Sequence, residues 1–104
     1  NIYPEEIESK LNNMPFVMES LVIEKEGKLV ALVYPDFEAI DTYGLTNDDL
    51  PVAMEEVRRN LNKEVAPYEN IAHIYIYQSE FEKTPKRSIK RYLYTNFTPL
   101  PNQQ

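Results

Sequence analysis

Apolar positions recur along the chain with two periods, near four and near two, and the switch between them divides it into elements. Ile7, Leu11 and Met14 recur at helical spacing. They follow Pro4, which suits a first helical position, and Glu5 and Glu6, which favour the positive end of a helix dipole. Pro15 closes this segment, so a helix is expected over about 4–13, its apolar stripe packed into a core. Phe16 to Glu24 and Lys28 to Tyr34 are two runs rich in β-branched and apolar residues, with Glu26-Gly27 between them as a hairpin turn. The second run is apolar on both sides: Leu29, Ala31 and Val33 against Val30, Leu32 and Tyr34. A strand of this kind is expected to be covered on both faces, by helices.

Asp36 to Asn47 reads as a loop. Thr46-x-x-Asp49 resembles a capping box, and Pro51 suits a first turn. Leu50, Met54, Val57, Leu61 and Val65 then predict a long helix over about 51–65, stopped by Pro67. Glu55, Glu56, Arg58, Arg59 and Lys63 are expected to form its solvated face. Ile71 to Tyr77 is expected as a third strand, with Ala72, Ile74 and Ile76 on one side and Ile71, His73, Tyr75 and Tyr77 on the other. Residues 80–87 read as a loop, 88–94 as a short helical or irregular segment, and 98–104, with Pro99 and Pro101, as a tail. This order predicts an α+β fold: a small mixed β-sheet, made of a hairpin plus a third strand, packed against helices.

Composition narrows the function classes. A length of 104 residues allows one small domain. With no Cys there is no disulfide framework and no thiolate metal site. The single His73 is expected to be a half-buried strand residue, so no metal site is expected. There is no run of 18 apolar residues and no charged segment ahead of an apolar stretch, so a cytoplasmic location is expected. The net charge of −6 argues against a nucleic-acid partner. That charge is unevenly spread. Residues 1–82 hold 17 acids and 6 bases, whereas residues 83–104 hold 5 bases and no acid. All five bases fall between Lys83 and Arg91: Lys83, Lys86, Arg87, Lys90 and Arg91. Such density is screened by solvent or by a bound anion.

The familiar catalytic patterns are missing. There is no Gly-x-Ser-x-Gly elbow, no Walker loop and no Gly-x-Gly-x-x-Gly, and acids pair only along helix faces. The basic arm remains. A cation on such a loop can enter a site on another domain and stabilise charge developing on a phosphate. The competing reading is a solubilising loop.

Two stretches carry a family resemblance. Asn1-Ile-Tyr-Pro-Glu-Glu-Ile-Glu8 resembles the signature that follows the hinge in the C-terminal domain of adenylate-forming enzymes. Thr84-Pro85-x-x-Ser88-Ile89-Lys90-Arg91 resembles the catalytic-lysine motif of the same domain. Asn62 to Ile71 is similar to the segment before the last strand in long-chain acyl-CoA synthetases. The resemblance implies that residues 1–97 are the mobile C-terminal domain of a long-chain fatty-acid–CoA ligase, with 98–104 a tail. The start at Asn1 and the two Gly fit a piece cut from a longer protein.

The implied enzyme activates a fatty acid with ATP and Mg2+ to an acyl-adenylate, then transfers the acyl group to coenzyme A by domain rotation. ATP and Mg2+ would be bound mainly by a large N-terminal AMP-binding domain, the implied partner in cis. Peripheral membrane association of the whole enzyme is also expected. The resemblance assigns cofactor contacts to Asn1, Tyr3 and Arg91. It also reveals a departure: the position of the family's lysine is held by Ser88. Lys86 and Lys90, two residues to either side, are the contenders to supply the cation. The alternatives are a catalytically degenerate closing module, or a ligase acting on another acid or acceptor.

Overall fold

A computed structural model describes residues 2–94. Helix α1 (Pro4–Leu11) leads into a hairpin of β1 (Val17–Lys25) and β2 (Lys28–Pro35). Helices α2 (Phe37–Thr42) and α3 (Leu50–Asn62) follow, then β3 (Ile71–Ile76). Short 3₁₀ turns occur at Pro67–Glu69 and Arg91–Leu93. The sheet order is β1-β2-β3, with β1 antiparallel and β3 parallel to the central β2. The expected α+β fold with a small mixed sheet is the observed one.

The hairpin turn is tight because both of its residues take positive φ, 53° at Glu26 and 80° at Gly27, directly beyond the Lys25–Lys28 pair. On one face of the sheet, Val22, Ala31, Val33, Ile71 and Ile74 pack against Ile7 and Leu11 of α1, Ile40 of α2, and Leu50, Met54, Val57 and Leu61 of α3. On the other face lie Leu21, Ile23, Val30 and Leu32. The two-faced apolar pattern of β2 is thus satisfied, but helices cover only one face. The chain after β3 covers the other, through Phe81, Ile89 and Tyr94.

Three further expectations are corrected. The segment 36–47 is not wholly loop: Asp36 caps α2 by accepting the Ala39 N–H at 3.1 Å. Phe37, Ala39 and Ile40 are the apolar residues of this six-residue helix, which is too short for a period to be read. Helix α3 ends at Asn62, short of 65. There the Asn62 side chain turns to the start of β3, accepting the Ile71 N–H at 2.8 Å and donating to the Ile71 carbonyl at 3.1 Å. Ile71 itself faces the helices with Ile74, because the β2–β3 register shifts between Leu29 and Val30. Thr46 and Asp49 do pair, through the Thr46 N–H to Asp49 Oδ2 at 2.9 Å, but in the turn before α3. The expected tail 98–104 and the domain limit at 97 lie outside the described residues.

Candidate functional site

The basic arm is a small hairpin docked on the sheet. Lys83 and Ile89 form an antiparallel bridge, with Thr84 N–H donating to Ser88 O and Lys90 N–H to Glu82 O, both at 2.8 Å. Arg87 N–H returns to Thr84 O at 2.8 Å, closing a turn with Pro85 at its second position. Arg87 follows with φ 66°, the left-handed conformation that completes a three-residue hairpin loop. This region favours glycine, so an arginine here costs roughly 1–2 kcal/mol.

Aromatic contacts pin the arm. Phe81, Tyr77 and Tyr94 meet pairwise with centroids 5.0, 5.2 and 5.8 Å apart. The Glu82 N–H donates to Tyr94 Oη at 2.9 Å. Burial pushes the Tyr77 phenol above its ordinary value, and neighbouring Tyr94 adds to this.

Charge divides the five bases by role. Lys83 pairs with Glu19 on β1 and reaches Glu80 at 3.5 Å. The hydrogen bond to Glu19 raises the Lys83 ammonium above its usual range, against desolvation. Arg91 pairs with Glu8 of α1 and lies 3.9 Å from Glu5. Both legs of the hairpin are therefore tied to carboxylates. Among the described residues, Lys86, Arg87 and Lys90 have no ion-pair partner.

The underside of the arm closes a cleft of about 560 Å³ lined by Glu8, Glu19, Lys83, Arg87, Ser88 and Arg91, among others. Ser88 is exposed, and its N–H donates to Thr84 Oγ1 at 3.3 Å. Lys86 stands exposed at the tip, while Lys90 is half-buried on the returning leg; neither lines the cleft. Tyr3 is exposed just before α1, and Asn1 lies outside the described residues. The arm thus gathers Lys86, Ser88, Lys90 and Arg91, of which Ser88 and Arg91 line the cleft; Tyr3 does not. Sequence reasoning missed the acids Glu8 and Glu19 as the arm's anchors. Their only signal was an excess of acid upstream, which does not specify partners.

His73 is half-buried with its ring against Tyr75 at 4.4 Å, as a strand residue would be. No group of three or more His, Cys, Asp or Glu able to hold a metal occurs among the described residues. No helix among them is long and apolar enough to cross a membrane.

No protein-family model and no curated protein matches the chain. Solved structures do share its fold. The adenylation domain of a carboxylate reductase from Mycobacterium chelonae aligns over 88% of this chain and 16% of its own, at 20% identity and a TM-score of 0.75. A benzoate CoA ligase from Burkholderia xenovorans LB400 aligns over 88% and 18%, at 23% identity and 0.67. A Brucella canis acyl-CoA synthetase aligns over 88% and 16%, at 26% identity and 0.63. The chain therefore has the fold of a C-terminal domain of adenylate-forming enzymes and spans under a fifth of these chains' lengths.

Proposed function

We propose that the chain is the C-terminal lid of an ATP-dependent ligase that makes acyl-adenylates and then acyl-CoA, with a long-chain fatty acid as its substrate. The observation that carries this reading is the arm: a pinned hairpin presenting three unpaired cations, on a fold shared with adenylate-forming enzymes. In the first half-reaction a carboxylate oxygen attacks the α-phosphorus of ATP, and the bond to the β-phosphate oxygen breaks, releasing pyrophosphate. In the second, the thiolate of coenzyme A attacks the acyl carbon and AMP leaves. The arm contributes positive charge near the carboxylate and α-phosphate, where negative charge collects in the first step. ATP, Mg2+ and the acyl chain are held mainly by a nucleotide-binding domain on the same polypeptide. Lys86 and Lys90 are the contenders for the cation, and unpaired Arg87 joins them.

The test is palmitate-dependent ATP–pyrophosphate exchange by the complete polypeptide. Converting Lys86, Arg87 and Lys90 together to alanine is expected to lower exchange by about 10²–10³-fold, the size of effect typical of electrostatic stabilisation. Unchanged exchange would remove the arm from the chemistry. The exposed hydroxyl at Ser88 favours a second reading, a closing module with weak adenylation of its own. Ser88→Lys separates the two: a large rise in exchange supports the second, and no rise means that another cation already serves.

A further inference from the structure

Glu8 is a carboxylate in an unusual setting. It sits on α1 and is only 7% exposed, yet it faces a surface cleft. A buried carboxylate is tolerated when each oxygen has a donor. Here Oε2 accepts the Val22 N–H of β1 at 2.7 Å. Oε1 accepts from Nη2 of Arg91, 83 residues further along the chain. β1 is an edge strand, so the Val22 N–H has no strand neighbour on that side. One side chain thus satisfies the sheet edge and, from that fixed point, holds the returning leg of the arm. The second leg is held separately, by Glu19 through Lys83 and the Phe81 N–H.

We infer that Glu8 is a positioning residue: its carboxylate, locked to the β1 edge, sets where the arm carries its unpaired cations. The inference deepens the proposed adenylation reading, since it concerns the placement of the same charges, but the clamp can be tested without that activity. Arg91 is the intermediary, and α1 is the reference body. A merely structural Glu8 would stabilise the whole domain. A positioning Glu8 affects the arm selectively, because the helix-covered face is packed without it.

The experiment is amide hydrogen exchange on the 104-residue chain and three variants. Glu8→Gln keeps the shape and an acceptor for Val22 but removes the charge. Arg91→Gln removes the partner and leaves the Glu8–Val22 bond intact, so it covers the case in which the first variant folds poorly. Both are expected to speed exchange of the Thr84 and Lys90 amides by about tenfold or more, as befits loss of a charge-assisted bond, with the Ile74 amide unchanged. The exchanged pair Glu8→Arg with Arg91→Glu keeps opposite charges but leaves the Val22 N–H without an acceptor, so the arm amides are expected to exchange as fast as in the single variants; full recovery of protection would mean that charge pairing alone, and not the lock to β1, places the arm.

In the complete polypeptide, Glu8→Gln is expected to lower kcat for pyrophosphate exchange about tenfold with KM for ATP within twofold. Arm amides that exchange at the wild-type rate in both single variants would overturn the inference, as would equal acceleration of Ile74. If arm protection falls as expected in a polypeptide that performs no pyrophosphate exchange, the clamp stands and the adenylation reading falls.

Discussion

The two faces of the sheet are covered by different means. One face is closed by α1, α2 and α3 with interlocked aliphatic side chains from Ile7 to Ile74, in regular backbone whose hydrogen bonds are mostly internal. The other is closed by an irregular strap with few anchors: Phe81, Ile89 and Tyr94, two carboxylate clamps and a handful of loop hydrogen bonds. The helical face behaves as one body because removing any part leaves a cavity in the rest. With fewer anchors, the strap is expected to release before that body opens. Lys86, Arg87 and Lys90, which have no ion-pair partner among the described residues, lie on the strap, so the element that carries chemistry in the proposed function is also the less firmly anchored one.

Removing a large side chain from each face gives the sharpest test of this contrast. Leu61→Ala, at a fully buried site on α3, is expected to lower the unfolding free energy by about 3 kcal/mol. All probes of urea unfolding should shift together. Phe81→Ala, at a site 3% exposed under the strap, is expected to split the probes. The near-ultraviolet signal of Tyr77 and Tyr94 should vanish at a lower urea concentration than the far-ultraviolet signal. Coincident transitions for Phe81→Ala would mean that both faces form one cooperative unit.

A smaller effect of opposite sign is expected at Arg87. Its φ of 66° suits glycine, so Arg87→Gly should tighten the hairpin by about 1 kcal/mol, measured as slower exchange of the Thr84 amide. No slowing would mean that the left-handed turn is not strained.

The smallest effects are expected from pH, and they separate the faces by direction. Tyr77 and Lys83, both on the strap side, have folded-state values raised above their ordinary ones, the first mainly by burial and the second mainly by its bond to Glu19. Their contributions are fully present below about pH 10 and are lost as pH rises through the raised values. On the helix side, the bond from Arg58 holds the Glu55 carboxyl below its ordinary range. Its contribution is present above about pH 4.3 and lost as pH falls through the lowered value; as a surface pair it is small. Titration of strap and α3 amide exchange would check this. Strap loosening that begins below pH 9 would rule out Tyr77 and Lys83 as its cause.

Much of the fold was readable because its elements are locally encoded. Pro4, Glu26-Gly27, Pro35 and the four-residue rhythm from Leu50 to Leu61 each act within one turn of chain or one strand pair. The apolar two-sidedness of β2 correctly implied two covered faces. What could not be read was which element covers which, because Ile89 and Tyr94 sit in an arm whose bases dominate its pattern. Helix α2 was hidden by its shortness. The turn of Ile71 toward the helices depends on a register shift, which no period along one strand can express.

Residue type and spacing alone specify α1, α3 and the three strands, the single mixed sheet and the concentration of positive charge between Lys83 and Arg91. The tertiary fold sets which of those charges have an ion-pair partner among the described residues. Lys83 and Arg91 look like Lys86, Arg87 and Lys90 along the chain, but the fold sets Glu19 and Glu8 against the first two. Ion pairing depends on distance in space, and a separation of 83 residues between Glu8 and Arg91 leaves no trace in local pattern.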